Sequence, residues 1–104
     1  MVKWEFALDM VSDVRSFVAM FMFINEEAVQ TVGMACYMLQ KTEQWAGVIE
    51  TAQYALDNLI NPAIDFCAMY GYVAVPLNMA YDAFFKAAQK SMQTYITTAQ
   101  LMLA

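Results

Sequence analysis

The sequence predicts an all-α protein of three to four helices, packed as hairpins or an open bundle, the last helix long and kinked near Pro76. Three observations carry this expectation. Helix breakers are scarce, with three glycines and two prolines in 104 residues. Ala, Met, Leu, Gln and Glu dominate the rest, and these residues lose least free energy in a helix. Apolar positions also recur at intervals of three and four, the signature of one buried helix face. The length suits a single helical domain over residues 1–104.

The first helix is expected over residues 2–24. Trp4, Leu8, Val11, Val18 and Phe21 form one stripe, with Lys3, Asp9, Asp13 and Ser16 largely off it. Acids in the opening turns suit the positive end of a helix dipole. From Phe17 to Ile24 every residue is apolar, and a helix segment that is apolar all round is buried all round. Asn25-Glu26-Glu27 then reads as a restart, Asn25 capping and the two acids following it. Residues 28–40 carry no charge, with Val29, Val32, Cys36 and Leu39 on one side.

The polar patch Lys41-Thr42-Glu43-Gln44 offers Thr42 as the cap of a third helix, although no Gly or Pro forces a break there. Trp45, Val48, Ile49, Ala52, Leu56, Leu59 and Ile60 continue as a heptad-like stripe opposite Glu50, Tyr54 and Asp57, the pattern of a helix–helix seam. Asn61-Pro62 is the sharpest boundary, because Asn is a favoured cap and Pro a favoured first helical residue. The final segment contains Pro76, which removes a hydrogen bond and predicts a kink over residues 72–76 or a restart near Asn78. Its late stripe is Met92, Tyr95, Ile96, Ala99, Met102 and Leu103, with Gln93, Thr94, Thr97 and Thr98 facing away.

Composition sets the functional expectation. Apolar residues make up 62 % of the chain and charged residues 14 %, against roughly 45–50 % and 25 % in ordinary soluble domains. A chain this short leaves roughly a third of its unfolded surface exposed on folding. Apolar surface should therefore remain for a partner: copies of the chain itself, other subunits of a complex, or lipid. The side chains expected to make those contacts are Phe17, Met20, Phe21, Phe23, Met34, Tyr37, Tyr70, Tyr72 and Phe85.

Chemistry is thinly represented. Histidine is absent, which removes the commonest general acid–base and the commonest transition-metal ligand. Ser12, Ser16 and Ser91 lie outside any nucleophile elbow. Glu26 and Glu27 are adjacent and point about 100° apart, so they do not share a site. Glu43, Glu50 and Asp57 share a face by their spacing of seven, but a di-metal bundle site would also need Glu-x-x-His. No catalytic residue, metal or cofactor is expected. Cys36 and Cys67 read as two buried free thiols or as a disulfide between facing helices; no Cys-x-x-Cys is present. A net charge of −5, with five scattered basic residues, speaks against nucleic acid and against electrostatic docking on anionic lipid.

Three functional expectations follow. The first is a non-catalytic structural subunit that self-assembles, into a filament if the contact does not close, or packs into a larger complex. The second is a small membrane-embedded or membrane-lying subunit of a bioenergetic or secretion complex. Its candidate spans are residues 16–39 and 63–85, although the longest uncharged run, 66–81, gives only about 24 Å of the roughly 30 Å a bilayer core needs. The third is a helical bundle binding an apolar ligand, with Tyr70, Tyr72 and Tyr81 and the ten methionines as lining. The N-terminus does not read as a cleavable signal, since Glu5, Asp9 and Asp13 interrupt its apolar stretch. No compartment follows from the sequence; membrane association and extracellular assembly both agree with it.

Overall fold

In the computed structural model, the backbone of residues 2–70 and 75–104 and the side chains of residues 19–69 and 79–104 are described. Helix α1 runs over Val2–Lys41 without interruption. The restart expected at Asn25 does not occur. The Asn25 amide donates instead to the Phe21 carbonyl at 2.8 Å, one turn back, so its polar group is satisfied within a continuing helix. Thr31 does the same toward Glu27 at 3.0 Å.

The first break is the polar patch, and its geometry is a Schellman turn. Gln44 N–H donates to the Leu39 carbonyl at 2.9 Å and Glu43 N–H to Gln40 at 3.0 Å, satisfying carbonyls that the helix end would orphan. The turn needs one left-handed residue, and Glu43 supplies it at φ 58°, where glycine is the usual occupant. Thr42 therefore closes α1 rather than capping its successor. Its hydroxyl donates to the Met38 carbonyl at 2.9 Å. Gln44 stands at the N-cap of α2 (Trp45–Ala55) without a side-chain cap bond.

Asn61-Pro62 does not end the middle helix. Chain direction is kept through a π turn, Leu56–Ile60, into α3 (Asn61–Tyr70). Pro62 cannot donate to the carbonyl four residues back and its ring crowds that carbonyl. The wider turn relieves both, with Asn61 N–H reaching five residues back to Leu56. Helix α4 (Val75–Leu103) returns alongside. Pro76 lies in its first turn, where a missing N–H is harmless. Residues 71–74, where the kink was expected to begin, lie outside the described residues.

The three rods meet on a narrow core. In α1 it is Met22, Val29 and Cys36, and in α4 Phe85, Met92 and Ala99, each series stepping by seven. The middle helix supplies Val48, Ala52, Ala55, Leu56, Ile60, Ala63 and Cys67. Phe21 stacks on Phe66 at 4.2 Å, and Phe84 meets Phe85 edge-on at 5.2 Å. Gln89 donates to Asn61 at 2.8 Å and ties α4 to α3 on the surface. The molecule measures 66 × 17 × 17 Å.

Candidate functional site

The core uses one face of α1 and leaves the opposite face open. Core positions on α1 are Met22, Val29 and Cys36. Rotating away from them reaches Met20, Phe23, Ile24, Glu27, Gln30, Thr31, Met34, Tyr37, Met38 and Lys41, every one of them exposed. This outer face is itself periodic. Met20, Glu27, Met34 and Lys41 step by seven, as do Phe23, Gln30 and Tyr37. It holds two apolar clusters, Met20–Phe23–Ile24 and Met34–Tyr37–Met38, separated by polar Glu27, Gln30 and Thr31. Met34 is 71 % exposed and Phe23 53 %, so neither cluster is covered by the fold.

Beside the second cluster, α1 and α4 form an open groove of about 570 Å³, lined by Gly33, Met34, Tyr37, Met38, Met92 and Tyr95 among others. A more polar depression of about 510 Å³ lies along α4, between Gln40 and Lys90, Thr94 and Thr98. At the far tip of α4, Leu101, Met102 and Leu103 are also exposed.

Of the side chains expected to make contacts, Met20, Phe23, Met34 and Tyr37 lie together on this outer face. Phe85 is fully buried and makes no outward contact; it opens the α4 core series, because positions 85, 92 and 99 face inward together. Phe21 is half-buried and stacks inward on Phe66. The side chains of Phe17 and Tyr70, and Tyr72 as a whole, lie outside the described residues. Ile24 and Met38 belong to the face and were not anticipated. Their signal was the second periodic stripe of α1, hidden at Ile24 by a run in which every residue is apolar and at Met38 by apolar neighbours on both sides.

Among the described residues no group of His, Cys, Asp or Glu could hold a metal ion. Cys36 and Cys67 are buried, free thiols, so the disulfide alternative fails. Each lies against a methionine instead: Cys36 Sγ is 4.0 Å from Met92 Sδ and Cys67 Sγ 3.4 Å from Met22 Sδ. Burial pushes both thiols up from their ordinary range, with Asp82 adding to the rise at Cys67. Unreactive, structural thiols are the result. Tyr81, expected in an apolar pocket, is half-buried with its ring 6.2 Å from that of Phe85. Lys86 donates to Asp82 at 2.8 Å one turn away, and that hydrogen bond holds its ammonium above the usual range.

Among the described residues no helix is long and apolar enough to cross a membrane. The expected span 16–39 lies within α1 and carries Glu26 and Glu27 near its middle; residues 71–74 of the expected span 63–85 lie outside the described residues. No protein-family model, curated protein or solved structure matches the chain.

Proposed function

We propose that this protein is a non-catalytic structural subunit that assembles with copies of itself, or packs into a larger complex, through apolar helix faces. The observation that carries the reading is the outer face of α1, where six large apolar side chains stand exposed within about 27 Å of one helix. Singly scattered exposed apolar residues are ordinary; two clusters of three aligned on one face of one helix point to an interaction surface. The rod shape points the same way. The chain exposes 6989 Å², whereas a monomer of 11.8 kDa exposes about 5,900 Å² on the usual size scaling. A partner laid along the rod would remove that surplus.

The alphabet supports a non-catalytic role: it offers no histidine to activate its three serines, and its two thiols are buried. The groove beside Tyr37 and Tyr95 has the volume of a small-ligand site. It lacks an enclosing wall, so it suits an incoming side chain or helix better than an isolated ligand.

Phe23→Asp and Met34→Asp test the reading. Each removes apolar burial of about 1.5–3 kcal/mol per contact, so association should weaken by at least tenfold while helicity by circular dichroism is unchanged. Light scattering against concentration checks it. An unchanged particle size for both variants would remove this face from any assembly.

A further inference from the structure

The two apolar clusters on α1 are arranged so that the face is complementary to itself, and we propose that two copies pair antiparallel along α1, with Glu27 of each meeting Gln30 of the other. The inference rests on the assembly reading above and specifies its partner and register. Taking the sevenfold steps as seam positions, Met20, Glu27 and Met34 occupy one column and Phe23, Gln30 and Tyr37 the other. In an antiparallel pair each column faces the other column of the partner. One register then matches every layer in kind. Met20 meets Tyr37, Phe23 meets Met34, and Glu27 meets Gln30, with the same three layers repeated beyond the two-fold axis.

Charge selects against the alternative. A parallel pair in register would set Glu27 against Glu27 at its centre, and like charges facing each other oppose association. In the antiparallel pair the Glu27 carboxylate faces a neutral amide donor. The Gln30 amide is free to serve it, since its contact within the chain is a long 3.5 Å approach to Glu26. Polar residues at one point of an apolar seam, here the two symmetry-related Glu27–Gln30 layers at its centre, are also the device that fixes register and orientation in paired helices.

The area is sufficient. Six large side chains, each more than half exposed, present roughly 600 Å² on one copy, to which the polar layer between them adds; a standard interface buries roughly 800 Å² on each partner. The paired length, residues 20–37, is about 26 Å.

Cysteine cross-linking of the full chain tests the register, with the parent and its two buried thiols as control. Under mild oxidation the double variant Phe23→Cys/Met34→Cys should form a covalent dimer on a non-reducing gel, and Met34→Cys alone should not. Gln30→Lys should tighten dimerisation by roughly twofold to fivefold, because it pairs a cation with Glu27 of the partner. A covalent dimer from Met34→Cys alone, or weaker association of Gln30→Lys, overturns the antiparallel register. Absence of the cross-link in the double variant, where the parent is oligomeric and sensitive to Met34→Asp, overturns it too, while leaving the assembly reading standing. A parent that stays monomeric at the highest concentration reached overturns both.

Discussion

Glu43 shows how one residue can carry a local cost for the sake of a turn. It is exposed and held at φ 58°, a conformation that costs a non-glycine residue about 1–2 kcal/mol. The Schellman bonds around it compensate by occupying carbonyls of Leu39 and Gln40. Glu43→Gly should therefore stabilise the fold by about 0.5–1 kcal/mol, the relief of strain less the added freedom of the unfolded chain; urea denaturation would check it, and a loss of stability would show that the Glu43 side chain contributes more than its backbone costs. The position of the break was legible in the sequence, because residues 41–44 are the most polar stretch of the middle. Its form was not, since no glycine marked the left-handed residue. At single positions the sequence also pointed to Met34 and Tyr37 as exposed but misplaced Phe85, which lies seven residues before Met92 on the stripe of α4 that faces in.

Among the elements, the middle helix was read as two and is one. Asn61-Pro62 carries the signature of a helix start, and local rules favour a break there. Packing decided otherwise. From Val48 to Cys67 is nineteen residues, slightly more than five α-helical turns, and the extra residue absorbed by the π turn brings Cys67 back onto the same face as Val48. A break would have freed Ala63 and Cys67 from the core they complete. Helix α1 was split for a similar reason: Asn25 resembles a cap in sequence, yet its neighbours Met22 and Val29 hold one continuous buried stripe. The inner stripes were legible because charge or polarity opposed them; the outer stripe of α1 was not, because residues 17–24 are apolar on every side and periodicity vanishes. Gly33 belongs to this element and has no backbone need for glycine. A Cβ there would lie 3.8 Å from Met92 Cε, an ordinary contact. Gly33→Ala should raise stability by about 0.5–1 kcal/mol, measurable as a higher thermal midpoint; a lower midpoint would mean that α1 and α4 cannot accept even a methyl group at this crossing.

For the molecule as a whole, the all-α class followed from composition together with apolar spacing, and the excess of apolar surface from composition. What composition could not supply was where that surface would lie. The answer depends on a narrow rod of three packed helical stretches that buries only one side of each: on α1 it covers Met22, Val29 and Cys36 and leaves Met20, Phe23 and Met34 exposed. The exposed face is rich in sulfur. Met20, Met34 and Met38 are each more than half exposed, whereas Met22 and Met92 are buried against the two thiols. Thioethers oxidise to polar sulfoxides where an oxidant can reach them. Peroxide should thus distinguish the two sets, and do so differently in the two states of association: in the separated chain Met20 and Met34 gain oxygen early, and in the assembled form they are shielded while Met69 and Met79, also exposed, still react. Peptide mass spectrometry over a dilution series would read this directly, and equal oxidation of Met34 at all concentrations would place it outside any contact. A chain caught by an oxidant would have the outer face of α1 made polar, so the exposure of that face is a chemical vulnerability that the proposed pairing would remove.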